Sequence, residues 1–304
     1  MPELPEVETI CTVLRRGTQE TPSVVGKCIT GAHLLWTGTL AEPSVRTFRS
    51  RIRGQRIREV SRRGKYIRID LTSRTMLIHL RMSGNMMVVP RTESLPRFCR
   101  VYFDLGKRWR LVFSDSRKFG RVWLTRDPDR VLNGLGPEPL SSAFTTRVFA
   151  SRLFGRSRQI KPLLLDQTFI AGVGNIYADE SLHLAGIHPQ TSCALLSPEQ
   201  VRLLWRSVRR VLREGIRRQG ASIDWIYRGG DFQNHFRVYQ RTGDRCRRCG
   251  AAIERLVVGQ RGTHICPQCQ PLLPPGAARA TLSSRKTRRP RGSRQIVCLR
   301  GDVI

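Results

Sequence analysis

The spacing of apolar residues divides the chain into stretches of different period. Val7, Ile10, Cys11 and Leu14 recur at helical spacing before Gly17, with Pro5 suited to a first turn and Glu6 and Glu8 favouring the positive end of a helix dipole. Pro2 and Glu3 therefore stand just ahead of a helix N-terminus. From about residue 25 to 125 the pattern shortens to β-type runs such as Tyr66-Ile67-Arg68-Ile69-Asp70-Leu71, Met76-Leu77-Ile78, Arg100-Val101-Tyr102-Phe103 and Arg110-Leu111-Val112-Phe113, broken by Gly and Pro. This predicts an antiparallel sandwich or barrel. Gly134-Leu135-Gly136-Pro137-Glu138-Pro139 is punctuation between domains, and helical spacing returns after it. The clearest helix opens at Ser197, with Pro198 at its first position and Gln200 completing a capping box, and runs through Val201, Leu204, Trp205, Val208, Val211 and Leu212 towards Gly220. A cysteine-bearing hairpin spans about residues 238–270; beyond Pro271 the chain is rich in Pro, Gly, Arg and Ser, which predicts a disordered basic tail. The fold class expected is α+β: an N-terminal β-sandwich with a leading helix over residues 2–135, a helical domain over 140–235, a finger over 236–270 and a tail over 271–304.

Charge narrows the class of partner. With 54 Lys and Arg against 23 Asp and Glu, the net charge of +31 exceeds what solubility needs and points to a polyanion. Arg heavily outnumbers Lys, as codon bias in a GC-rich genome also produces, yet guanidinium groups pair with phosphate in bidentate fashion whatever their origin. No apolar run is long enough to cross a membrane and the amino terminus lacks a signal-peptide pattern, so a cytoplasmic, nucleoid-associated monomer is expected, with no membrane partner. Of the nine cysteines, Cys11, Cys28, Cys99, Cys193 and Cys298 are scattered singly, as reduced thiols are.

The remaining four form Cys246-x2-Cys249 and Cys266-x2-Cys269, the spacing of a four-thiolate structural zinc site, and one Zn2+ would hold together a segment too small to fold by burial alone. Arg261 lies in the hairpin between the pairs, among Arg245, Arg247, Arg248 and Arg255, which tilts the finger towards phosphate. A second constellation, Ile170-Ala171-Gly172-Val173-Gly174-Asn175-Ile176-Tyr177, precedes a helical stretch over residues 177–184. Glycines admit close backbone approach, and free amides at a helix start favour phosphate, with Arg156 and Lys161 just upstream; an ordinary helix-helix turn with a capping Asn has the same composition.

Met1-Pro2 is a start methionine before a small residue, the context in which methionine is removed to leave a secondary amine. An α-amino group has a pKa near about 8 against about 10.4 for Lys, so roughly a hundredfold more of it is free base at neutral pH. Attack on a sugar C1′ by a secondary amine gives an obligatorily cationic iminium, which acidifies the C2′ proton and permits phosphate elimination. Glu3 is placed to move protons during these steps.

Met1-Pro2-Glu3-Leu4-Pro5-Glu6-Val7-Glu8-Thr9 resembles the amino terminus of the bacterial formamidopyrimidine-DNA glycosylases. The similarity continues through Arg63-Gly64-Lys65-Tyr66, His79-Leu80-Arg81-Met82-Ser83-Gly84, Asp115-Ser116-Arg117-Lys118-Phe119-Gly120, the turn and helix over residues 172–180 and the four cysteines, in order. The resemblance implies a helix-two-turn-helix domain between sandwich and zinc finger, and a bifunctional glycosylase and abasic-site lyase acting on double-stranded DNA that carries oxidised bases or abasic sites. It implies Pro2 as the Schiff-base nucleophile, Glu3 as proton donor for base loss, Lys65 in β-elimination and Arg261 in δ-elimination. Met82, Arg117 and Phe119 would fill the gap left by a flipped-out nucleotide, and Arg100, Arg156, Lys161 and Asn175 would hold DNA. Taken singly, Lys65 also suits a solvated strand end, Met82 and Phe119 a core, and Arg117 an ion pair. Three departures stand out: Arg81 replaces a common Gly, Arg100 a common His, and residues 220–240, with Arg228-Gly229-Gly230-Asp231-Phe232, differ from the loop that covers an everted purine. Two alternatives remain, an endonuclease VIII-type enzyme for oxidised pyrimidines and a non-catalytic zinc-containing DNA-binding protein. Leu4 and the Arg117-x-Phe119 pair favour purines over the first, and the intact Pro2, Glu3 and Lys65 set speaks against the second.

Overall fold

A computed structural model describes residues 1–222 and 229–272; the tail and Arg228 lie outside the described residues. The leading helix α1 is Leu4–Arg16. It begins where it does because Glu3 and Glu6 form a reciprocal capping box and Pro5 falls in the first turn, where a missing N–H costs nothing. Its buried stripe is Leu4, Val7, Ile10, Cys11 and Leu14.

Nine strands and a helix follow: β1 (Gly31–Leu34), β2 (Leu40–Glu42), α2 (Val45–Ile52), β3 (Ile57–Arg63), β4 (Tyr66–Leu71), β5 (Thr75–His79), β6 (Gly84–Pro90), β7 (Cys99–Leu105), β8 (Trp109–Asp115) and β9 (Arg121–Thr125). They make two sheets, ordered β1-β7-β8-β6 and β2-β9-β5-β4-β3. Alternation of Ile67, Ile69 and Leu71 with half-buried Tyr66, Arg68 and Asp70 fixes the register of β4, since a slip of one residue would turn the apolar set to solvent. The sandwich is antiparallel throughout except at its edge, where β2 runs parallel to β9, a pairing that short Leu40–Glu42 gives no periodicity to foresee. Its core gathers Phe48, Phe103 and Phe113 with the aliphatic faces of both sheets and Val7, Ile10, Cys11 and Leu14 of α1.

The helical part contains α3 (Asp129–Leu132), α4 (Thr146–Leu153), α5 (Ile160–Leu165), α6 (Asn175–Ala185) and α7 (Pro198–Arg217). The α7 capping box at Ser197 and Gln200 forms as its sequence dictates. Leu4, at the other end of α1's stripe, belongs to this second core with Phe149, Phe169, Tyr177 and Leu204, so one helix is rooted in both cores and its N-terminus lies between them. A two-stranded finger, β10 (Glu254–Val258) and β11 (Arg261–Ile265), closes the described chain. Gly259 and Gln260 connect the strands with φ of 54° and 61°, the double left-handed turn that matches strand twist in a two-residue hairpin. Among the described residues no helix is long and apolar enough to cross a membrane.

Candidate active site

A cavity of about 570 Å³ opens where the two cores and the finger meet, and Pro2, Glu3, Lys65, Met82, Asn175 and Arg261 all line it. They arrive from five separate places, Met82 among them on the β5–β6 loop. Pro2 and Glu3 come with α1, whose first amide donates to Gly172 O at 3.0 Å. Lys65 sits in the two-residue turn between β3 and β4, where Gly64 takes φ 57°. That turn is clamped by Glu138, which accepts from Gly64 N, Arg62 and Arg63. Arg261 opens β11, and Asn175 opens α6.

Gly172 and Gly174 are required by packing at this junction. A Cβ on Gly172, which has φ 89°, would stand 2.7 Å from the Leu4 side chain, and one on Gly174 would fall on the Glu3 carboxylate. The start of α6 is therefore occupied by a carboxylate of the chain itself: Ile176 N donates to Glu3 Oε1 at 3.0 Å and Tyr177 N to Oε2 at 3.4 Å. This corrects the expectation of free amides waiting for phosphate. Asn175 likewise donates its Nδ2 to Gly262 O at 2.9 Å, within the hairpin, while its buried Oδ1 has no hydrogen-bond partner.

The electrostatics of the cavity follow from burial. Glu3 is 3% exposed, and loss of hydration pushes its carboxyl from an ordinary 4.5 up to about 7, with Lys65 and the Ile176 amide pulling the other way and Glu6 adding to the rise. Lys65 is also buried, not a solvated strand end; burial holds its ammonium below the usual lysine value against the opposing pull of Glu3. A carboxyl poised to carry a proton at neutral pH beside a lysine that surrenders one readily is a competent acid-base pair. Glu6, which the sequence shows only as a favourable charge at the start of α1, ties the floor together by accepting from Glu3 N, Tyr177 OH and Ala221 N at 2.8, 2.7 and 2.8 Å.

Met82 lines the cavity from the β5–β6 loop, whereas Arg117 and Phe119 lie on the β8–β9 loop, outside its lining but tied to the Met82 loop through Arg117 N donating to Ser83 Oγ at 3.1 Å. Met82 and Phe119 are 37% and 52% exposed, so neither is a core residue, and the Arg117 guanidinium lies 5.4 Å from the Phe119 ring. Asp115 joins the two loops: its carboxylate accepts from Ser83 Oγ, from Arg117 N at 3.2 Å and from Gly120 N at 2.7 Å. Arg81 is held at φ 53°, the left-handed region that glycine adopts without strain. Arg100 donates to Asp115 O at 2.6 Å, behind the same loop.

Lys161 requires a correction. It is fully buried, paired with Asp179 at 2.6 Å and donating to Thr263 Oγ1 at 2.7 Å and Gly262 O at 3.2 Å. With two hydrogen bonds to the hairpin and its charge paired with Asp179, it fastens the hairpin to α5 and α6 and presents no surface to a phosphate. Arg156 is exposed at the end of α4, donating to Arg152 O, outside the cavity.

The four cysteine sulfurs lie within 4.8 Å of one another, and a tetrahedron of Zn–S bonds of about 2.3 Å has edges of about 3.8 Å. Arg248 N donates to Cys246 Sγ and Cys269 N to Cys266 Sγ, each at 3.4 Å, bonds that stabilise thiolate. The donor set and its geometry fit one structural Zn2+ held by Cys246, Cys249, Cys266 and Cys269.

Three family models match the chain in order: the formamidopyrimidine-DNA glycosylase N-terminal domain over residues 1–122, the formamidopyrimidine-DNA glycosylase H2TH domain over 135–226, and a zinc finger found in FPG and IleRS over 243–272. The formamidopyrimidine-DNA glycosylase of Chloroflexus aurantiacus is 46% identical, covering 89% of this chain and 98% of its own length. That of Symbiobacterium thermophilum is 40% identical over 95% of both. A crystal structure of Lactococcus lactis Fpg with DNA containing N7-benzyl-Fapy-dG superposes with a TM-score of 0.82 at 34% identity, covering 89% of this chain and all of that one; MutM with carbocyclic 8-oxo-G DNA gives 0.82 at 34%.

Proposed function

Because the chain belongs to the formamidopyrimidine-DNA glycosylase family, we propose that it excises oxidised purines, mainly ring-opened formamidopyrimidines, with 8-oxoguanine depending on the divergent 220–240 loop, from double-stranded DNA and then nicks the abasic strand by β,δ-elimination. The observation that carries this reading is the convergence of Pro2, Glu3, Lys65 and Arg261 on one cavity, with Glu3 raised to about 7.

With Met1 removed, the Pro2 nitrogen attacks C1′ of an everted nucleotide as the glycosidic bond breaks. Glu3, held against the start of α6, supplies the proton that the departing base or the opening sugar oxygen takes up. The resulting iminium draws electrons from C2′, so loss of a C2′ proton expels the 3′ phosphate; Lys65, a buried amine with depressed basicity, is placed to take that proton. Arg261, an exposed cation at the finger turn, steadies the second phosphate as it leaves. Met82, Arg117 and Phe119 occupy the vacated space in the helix, and Arg100, Arg156 and Asn175 contribute to holding the duplex. Zn2+ on the four cysteines supplies no reaction step; it fixes the finger that carries Arg261. The charge of +31 supports residence on the nucleoid within the cytoplasm.

A lesion panel tests the reading. Duplexes carrying formamidopyrimidine, 8-oxoguanine or thymine glycol opposite cytosine or adenine should be cut fastest at the purine lesions, with phosphate left on both sides of the gap. Preference for thymine glycol would replace it with the pyrimidine-directed alternative.

A further inference from the structure

We propose that Trp36 and Phe98, each with a cation against its ring, form a second DNA-contacting platform beside the Arg117–Phe119 loop, seated on the phosphodiester backbone beyond the lesion. The inference rests on the reading that this loop faces DNA. Trp36 is 40% and Phe98 42% exposed, and what sets them apart from other exposed apolar side chains is the cation held against each ring. Lys118 Nζ lies 4.3 Å from the Trp36 ring centre, and the Arg97 guanidinium 4.7 Å from that of Phe98.

Both residues are anchored by backbone hydrogen bonds to β7 and β8, the latter carrying the Arg117–Phe119 loop. Trp36 N donates to Arg100 O at 3.1 Å, and the indole lies over Gly38, where a Cβ would come within 2.8 Å of it. Phe98 O accepts from Asp115 N at 3.0 Å, so it shares the residue that organises the Arg117–Phe119 loop. Phe98 and Lys118 are held at φ 66° and 61°, a left-handed backbone that side chains other than glycine adopt at a cost. Each of these positions contributes one half of a ring-cation pair, so the left-handed backbone fixes where the ring of Phe98 and the ammonium of Lys118 are presented.

The occupant follows from chemistry and continuity. Cations on ring faces leave the ring edges and free N–H groups for a partner that is at once anionic and partly apolar, and a deoxyribose-phosphate chain is both. Lys118 is also the residue between Arg117 and Phe119, so a strand lying on those two continues onto Lys118 and Trp36.

The test uses the full chain with duplexes carrying a tetrahydrofuran abasic analogue, either with long arms or trimmed on one side or the other. Trp36→Ala should weaken the long duplex about three- to tenfold, Trp36→Phe should restore most of that, and Lys118→Ala should lower the salt slope by about 0.9. All three effects should vanish on one trimmed duplex and persist on the other. Binding by Trp36→Ala equal to the parent's, or a loss that persists on both trimmed duplexes, would overturn the platform. A parent protein that releases no damaged base from lesion DNA would instead remove the glycosylase reading, which is a separate failure.

Discussion

Replacing Glu3 by Gln should separate the two halves of the reaction. The side chain keeps its size and one acceptor for the α6 amides, but it has no proton to give. Glu3 at about 7 is half protonated at pH 7 and about one-hundredth protonated at pH 9, whereas at its ordinary 4.5 it would be protonated in only about 0.3% of molecules at pH 7. In single-turnover assays on a formamidopyrimidine duplex, the parent's excision rate should therefore fall about tenfold per pH unit above pH 7. Glu3→Gln should lose about 100-fold or more at pH 7 and lose that alkaline slope as well. Nicking of a preformed abasic site needs no base protonation and should change by only a few fold. Stability carries the same signature. The folded-state pKa is raised, so the contribution of Glu3 is fully present below pH 4.5 and is lost as pH rises through about 7. Going from 4.5 to about 7 at 1.36 kcal/mol per pH unit is on the order of 3 kcal/mol. The variant should show a flatter stability profile across that window in urea titrations. Equal loss in excision and in abasic-site nicking, or an excision rate flat from pH 7 to 9 in the parent, would refute Glu3 as the proton donor.

Lys161→Ala leaves Asp179 charged and buried without its ion-pair partner and should cost about 3–5 kcal/mol in urea unfolding, while adding Asp179→Asn should recover part of it; a loss under 1 kcal/mol would return Lys161 to the surface. Arg81→Gly relieves a left-handed backbone and should raise stability by about 1 kcal/mol in thermal melts, with the salt slope of DNA binding falling by about 0.9 if the Arg81 side chain reaches a phosphate. Stripping zinc with a chelator should release one metal per chain and suppress δ-elimination more than β-elimination, because the four sulfurs fix the hairpin that presents Arg261 while Lys65 belongs to the sandwich.

Alternation and helical spacing make much of the framework legible before any coordinates. The runs at residues 66–71 and 100–103 lie within β4 and β7, and Ser197 with Gln200 opens α7, because each is a local pattern with a local cause. The cysteine spacing is legible for the same reason: a knuckle needs only a few residues. What local pattern does not carry is which distant groups meet. Gly172 and Gly174 read as a phosphate cradle, but their small size admits Leu4 and Glu3, residues about 170 positions earlier in the chain. Lys161 reads as a free cation because its partner Asp179 lies a helix away and its other acceptors lie in β11. Asp115 is visible as a letter in a motif, but its hold on two loops depends on the β6–β8 pairing that brings Ser83 beside it. Burial of Glu3 and Lys65, which sets their proton affinities, is likewise a property of three converging segments and of no one of them.

The central claim is that the amino group of Pro2 is the nucleophile, and trapping followed by peptide mapping tests it most directly. Full-length protein, incubated with a formamidopyrimidine duplex and sodium borohydride, should yield one covalent adduct whose mass reports loss of Met1. Proteolysis should place the reduced sugar on the peptide that begins at Pro2. An adduct mapping to Lys65, or no adduct from protein that still cuts the lesion strand, would contradict it.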